Sequence, residues 1–177
     1  MSKIQIDDKE FELILEHDQI KKRIRLISIQ LNVVYAKLVP VFLGVLDGSY
    51  MFMADLMKEI DIAAETSFVK ISSYNGEERN EIKELIGLGI DLKGRDVVIV
   101  EDIIDTGETL NYLLKEIQKA EPSSIAICTL LSKPAKLHYA FKEISYVGFE
   151  IPDDFVVGYG LDYNGLGRNL KDIYKAC

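Results

Sequence analysis

Three runs constrain the fold of this chain more than anything else in it. They are VPVFLGVL (Val39 to Leu46), VVIVED (Val97 to Asp102) and SIAICTLL (Ser124 to Leu131). Each is nearly continuously apolar and rich in β-branched residues, without the alternation of a strand that has one wet face. Strands of this kind are buried on both faces, as in a parallel sheet covered by helices. The segments between them carry helical spacing. Met53, Leu56, Met57 and Ile60 fall on one face of a segment opened by Ser49, and Leu110, Leu113, Leu114 and Ile117 fall on another, with Pro122 beyond its end. Upstream, Ile20, Ile24, Ile27, Leu31 and Val34 recur at helical spacing, and Asp18 is placed to cap or charge that helix start. Strands alternating with helices predict an α/β fold with a mostly parallel central sheet. Such sheets bind ligands beyond the carboxyl ends of their strands, so the loops starting at Leu46, Glu101, Leu131 and Phe155 are the ones to inspect.

The remaining segments are weaker. FELILE (Phe11 to Glu16) and SFVKIS (Ser67 to Ser72) predict strands. Ser73 to Asn80 is polar, with Asn75-Gly76 suited to a loop or hairpin tip, and EIKELIGL reads as a return strand. YVGFEI and FVVGYGL predict two late strands joined by Pro152-Asp153-Asp154, and the last dozen residues read as glycine-punctuated, then briefly helical. With 177 residues, no repeat and no linker, the chain is expected to form one domain, residues 1–177. The net charge of −8 argues against a general nucleic-acid or anionic-membrane binder. No run is long enough to span a bilayer and no signal segment is evident at the start. Cys128 sits inside an apolar run and Cys177 at the end, so a disulfide framework is not expected and a cytoplasmic location is.

The stretch EDIIDTGET (Glu101 to Thr109) carries the chemistry. Thr106-Gly107-Glu108-Thr109 leads into a helix start, where free amides and the helix dipole favour an anion. Gly107 permits close backbone approach, and two threonine hydroxyls add donors. The lysine of a triphosphate cradle is missing, so a single phosphate monoester fits better. Glu101 and Asp102 do not suit phosphate oxygens. As acceptors they suit ribose hydroxyls or a magnesium ion. Together the parts fit a sugar with a phosphate at one end, with Asp105 facing whatever reacts at the sugar. Taken alone, the loop also fits plain solvation with Asp105 as a helix cap. Asp-Thr-Gly occurs in aspartic proteases as well, but they need a second motif or a symmetric dimer of mostly β chains.

Apolar strand, Glu-Asp, two aliphatics and Asp-Thr-Gly-x-Thr resemble the phosphoribosyl-pyrophosphate signature of the type I phosphoribosyltransferases. GVLDGSYMF, SSYNG, KELIG, LLSKPA and VGFEIPDDFVVGYGLDYNGLGRNL occur in matching order over nearly the whole chain, and the last resembles the 6-oxopurine branch, the hypoxanthine (hypoxanthine-guanine) phosphoribosyltransferases. The resemblance implies a small hood built from the N- and C-terminal segments, magnesium as cofactor, and a homodimer or homotetramer acting on phosphoribosyl pyrophosphate and a 6-oxopurine base. It implies Asp105 as proton acceptor at purine N7. Glu101 and Asp102 would contact the ribose hydroxyls directly or through magnesium, and Thr106, Gly107, Glu108 and Thr109 would bind the 5′-phosphate. Lys133 would donate to the purine 6-oxygen, Phe155 stack on the ring and the backbone of Val156 read its edge. Asp162, near the base, would hold a second magnesium. Arg168 and the loop Leu46-Asp47-Gly48 would contact pyrophosphate, and Ser73 and Tyr74 would lie on a mobile closing loop.

Displacing pyrophosphate builds positive charge on the ribose and negative charge on the leaving group. Carboxylates suit the first; magnesium and Arg168 suit the second. A lysine donor favours a 6-oxopurine over adenine, whose amino group is itself a donor. Two positions depart from the pattern. Asp47 stands where relatives often have Lys or a small or polar residue after a peptide bond that is often cis, and Asp154 stands where many have Lys before the stacking aromatic. Asp47 is therefore expected to offer its backbone amide and turn its side chain away. The alternative, a regulator on this fold that binds phosphoribosyl pyrophosphate or RNA without catalysis, is disfavoured because Asp105, Lys133 and Phe155 are all present and the chain is acidic.

Overall fold

The computed structural model describes residues 2–74 and 81–177; for 72–74 and 81–86 it describes the backbone path alone. The predicted Asn75-Gly76 hairpin tip lies outside the described residues. In chain order the elements are β1 (Lys3–Ile6), β2 (Lys9–Leu15), α1 (His17–Val34), β3 (Val41–Leu46), α2 (Tyr50–Lys58), β4 (Glu65–Tyr74), β5 (Glu81–Ile86), β6 (Asp96–Ile104), α3 (Glu108–Lys119) and β7 (Ser124–Ser132). A one-turn 3-10 helix (Pro134–Lys136), β8 (Ile144–Glu150), β9 (Val156–Val157) and β10 (Ile173–Ala176) complete the chain.

Six strands form the central sheet in the order β5-β4-β3-β6-β7-β8. All its pairs are parallel except β4 with β5, an antiparallel edge hairpin. Each continuous apolar run sits where its pattern demands, covered on both sides. Phe42, Val98, Val100, Cys128 and Leu130 face α1 and α2, which contribute Ile20, Ile24, Leu31, Phe52 and Leu56. Val41, Leu43, Val97, Ile99 and Ile127 face the opposite layer, where α3 buries Leu110, Leu113 and Ile117. Glu16 caps α1 reciprocally with Gln19, so Asp18 charges the first turn without capping it.

The second sheet is the hood. Its strands are antiparallel in the order β1-β2-β10-β9, drawn from both ends of the chain, around Phe11, Val157 and Tyr174. Two sequence readings are corrected here. The final residues form β10 rather than a helix, because Ile173 and Tyr174 pair with β2 and are buried by it. FVVGYGL shortens to the two residues of β9, since Gly158, Tyr159 and Gly160 take positive φ and turn the chain out of the sheet. Phe155 therefore opens the hood strand β9, at the end of a loop that leaves the carboxyl end of β8.

Candidate active site

The carboxyl ends of β3, β6 and β7 open on the same edge of the sheet. β6 is longer than its sequence suggested: it runs to Ile104, with Glu101 opposite Thr129 and Ile104 opposite Ser132. Glu101 and Asp102 thus stand inside a strand rather than at the start of a loop, which makes them rigid and hard to hydrate. Burial pushes the Glu101 carboxyl well above its usual range, helped by the charge of Asp102. Burial also pushes Asp102 up to about 6, although Arg168 and the amide of Ile103 pull the other way. The Ile103 amide donates to Asp102 Oδ1 at 2.9 Å.

Beyond these carboxylates lies a cavity of about 210 Å³, lined by Leu46, Gly48, Ile71 and the run from Glu101 to Leu110. Gly107 closes the run at φ 84° as the N-cap of α3. A side chain there would strike the ring of Phe141, and a positive φ disfavours any residue but glycine. The first amides of α3 border the cavity without intrahelical acceptors, and that of Glu108 donates to the Thr106 hydroxyl at 3.4 Å. The Thr106 carbonyl is held by the amide of His138 at 3.0 Å, which fixes the loop from behind. Thr106 and Thr109 are half-buried and Glu108 is exposed.

The Leu46–Asp47 peptide bond is cis. Asp47 turns its carboxylate to Lys70 of β4, at 2.6 Å. Gly48 packs so closely on Asp102 that a β-carbon would overlap Oδ2, and a β-carbon at Gly160 would overlap the Gly48 carbonyl. The loop holding Asp162 and Arg168 is thereby pressed onto the carboxylates. Arg168 donates to the Gly160 carbonyl at 2.7 Å and pairs with Asp162 Oδ1 at 2.7 Å. Asp162 Oδ2 accepts from the amide of Gly165 at 2.8 Å.

Asp105 lies just past β6. Lys133, only 6% exposed at the end of β7, reaches Asp105 Oδ2 at 3.2 Å and Asp153 Oδ1 at 3.3 Å. Lys136 stands 3.2 Å from Asp105 Oδ1 and 2.9 Å from Asp153 Oδ1. Phe155 is 48% exposed on the hood, with Tyr163 edge-on at 5.8 Å and Lys9 Nζ 5.6 Å from its ring centre. Val156 is paired with Lys175 through the backbone. Neither Phe155 nor Val156 lines the cavity. The backbone of Ser73 and Tyr74 lies at the end of β4, opposite Ile82 and Glu81; their side chains lie outside the described residues. Sequence reasoning missed Lys70, Lys136 and Asp153. For Lys136 the signal was present, since a lysine three residues after Lys133 with proline between them fits a 3-10 turn that aligns the two.

Hard oxygen donors lining one cavity suit a cation, and Glu101 with Asp102 meets that description. Among the described residues no group of three or more His, Cys, Asp or Glu gathers to form a closed metal cage. Paired carboxylates, a glycine turn opening a helix and a buried lysine on Asp105 therefore gather at one sheet edge, a donor and acceptor set that suits a phosphorylated sugar.

Comparison with known proteins narrows this class. A family model for the phosphoribosyl transferase domain matches residues 11–164. The hypoxanthine-guanine phosphoribosyltransferase of Bacillus subtilis is 41% identical over 164 residues, covering 92% of this chain and 91% of that protein. The bifunctional protein TilS/HprT of Listeria innocua is 43% identical over 164 residues, and the chain spans only 25% of its length. A crystal structure of a hypoxanthine phosphoribosyltransferase from Staphylococcus aureus superposes with a TM-score of 0.88 at 39% identity, covering 94% of this chain and 91% of that one. The chain belongs to the type I phosphoribosyltransferase family, on its hypoxanthine-guanine branch.

Proposed function

We propose that this chain transfers the 5-phosphoribosyl group of phosphoribosyl pyrophosphate to hypoxanthine, and to guanine, giving IMP or GMP and pyrophosphate in purine salvage. The observation that carries the reading is the pairing of Asp105 with buried Lys133 beside the cavity ending at the start of α3. A proton acceptor and a donor for a carbonyl oxygen stand together next to a phosphate cradle.

The amides of Gly107, Glu108 and Thr109, with the hydroxyls of Thr106 and Thr109, bind the 5′-phosphate. Glu101 and Asp102 accept from the ribose hydroxyls. The base lies against the exposed face of Phe155, with its edge toward the backbone of Val156 and its 6-oxygen on Lys133. Purine N9 forms the bond to C1 of the ribose as the bond from C1 to pyrophosphate oxygen breaks, and Asp105 takes the proton from N7. The backbone at Asp47 and Gly48 and the guanidinium of Arg168 bind the leaving pyrophosphate. Ser73 and Tyr74 close over the centre, where exclusion of water protects a cationic sugar from hydrolysis. Glu101, Asp102 and Asp162 would hold magnesium, which supplies positive charge to the ribose-pyrophosphate oxygens.

We place the chain in the cytoplasm as a single domain without nucleic-acid or membrane partners; among the described residues no helix is long and apolar enough to cross a membrane. Association into a homodimer or homotetramer is supported by Leu26, Ile29 and Val33, exposed along one side of α1. Incubation with phosphoribosyl pyrophosphate, magnesium and hypoxanthine, guanine, xanthine or adenine in parallel tests the reading. Nucleotide and pyrophosphate should form with 6-oxopurines and not with adenine. Folded protein that binds phosphoribosyl pyrophosphate but turns over no base would instead be a regulator.

A further inference from the structure

Lys133, Lys136, Asp105 and Asp153 form a closed quartet of two ammoniums and two carboxylates, with all four cross-distances between 2.9 and 3.3 Å. We propose that Lys136 is a positioning residue for the base-binding step, holding Asp105 and Asp153 so that Lys133 is released to the purine 6-oxygen. The inference rests on the reading of Lys133 as the donor to that oxygen.

The reasoning is one of charge balance. Lys133 is almost wholly buried, whereas Lys136 is half-buried on the 3-10 turn and Asp153 is over half exposed. As the quartet stands, Lys133 spends two of its three N–H donors on carboxylates. When it turns to a carbonyl oxygen, those carboxylates lose a charge-assisted bond each, which is costly at a partly dry site. Lys136 already touches both, so they keep a counter-charge while Lys133 moves. Asp153 and then Asp105 hold the Lys136 ammonium above its usual 10.5, so it stays charged throughout.

The arrangement has a kinetic signature. Lys136→Met keeps the length and removes the charge. The Michaelis constant for hypoxanthine should rise roughly tenfold, the scale of one charge-assisted hydrogen bond, while that for phosphoribosyl pyrophosphate stays within about twofold of the parent. Lys136→Arg should restore the hypoxanthine value. Asp153→Asn added to Lys136→Met should recover part of it, because Lys133 then leaves one carboxylate without a counter-charge and not two. A merely structural lysine would lower the melting temperature and disturb both substrates together. Equal constants in Lys136→Met and the parent enzyme, or no recovery in the Asp153→Asn double variant, would overturn the inference while leaving the proposed function intact. A parent protein inert with every base would overturn both.

Discussion

Asp105 is the residue on which the proposed chemistry turns. It sits one step past the rigid end of β6 and is held by two lysines. Asp105→Asn keeps the size and the hydrogen-bonding oxygen but cannot take a proton. The variant should melt at a temperature close to the parent's and lose at least about 100-fold in turnover, measured by nucleotide formation. Turnover within a few fold of the parent would remove the proton-acceptor role. Asp102 makes a different demand. Its carboxyl is raised from 3.8 to about 6 in the folded protein, so the folded state carries a penalty above pH 6. That penalty fades as pH falls from about 6 toward 3.8, and it is gone below 3.8, where both states are protonated. Asp102→Asn should therefore melt several degrees above the parent at pH 8, with the difference closing below pH 3.8, and should lose activity. Thermal melts across pH check the sign. Equal melting at pH 8 would mean the carboxylate is not strained in the free protein.

At the scale of elements, the start of α3 leaves little room for change. Its amphipathic face made the helix plain in the sequence, since Leu110, Leu113, Leu114 and Ile117 have no other way to be buried together. What the spacing did not reveal is how tightly the turn before it is enclosed, by Phe141 on one side and the His138 amide on the other. Gly107→Ala should raise the Michaelis constant for phosphoribosyl pyrophosphate at least about tenfold, as positive φ alone costs an alanine roughly 1–2 kcal/mol before the clash is counted. The constant for hypoxanthine should change far less. Equal change in both would mean that the loop shapes the whole site and not the phosphate end. The extension of β6 past Asp102 was hidden for a related reason. Polarity suggested that the strand ends at Glu101 and Asp102, and only the pairing of Ile103 and Ile104 beside β7 carries it further.

For the whole molecule, the question is how the hood is held over the sheet. One tie is Tyr159, fully buried, whose hydroxyl donates to Asp55 of α2 at 2.6 Å. Burial pushes the Asp55 carboxyl up, but bonds from Lys58 and Tyr159 outweigh it, and the group titrates below its ordinary 3.8. A depressed carboxyl stabilises the fold above its unfolded value and loses that contribution as pH falls through the folded one. Asp55→Asn should cost about 1–2 kcal/mol at pH 7, and that cost should shrink as pH falls below 3.8 and through the lower folded value, as read by urea unfolding. A pH-independent loss would assign the effect to packing. Burial likewise pushes the Tyr159 phenol far above its usual range, so it remains a donor throughout.

The sequence by itself determined the layered fold, because runs apolar on every residue have no stable home except a sheet covered on both sides. It also determined the chemistry of the β6–α3 loop, because residue types a few positions apart in one strand, turn and helix meet by local geometry alone. Tertiary structure decided the rest. Lys136 and Asp153 gained their place beside Asp105, Lys70 became the partner of Asp47, and the last residues became a strand of the hood through pairings between segments far apart in the chain. Long-range pairing leaves no local periodicity to read. A short terminal segment such as Ile173–Ala176 takes its conformation from the strand that buries it, not from its own preference.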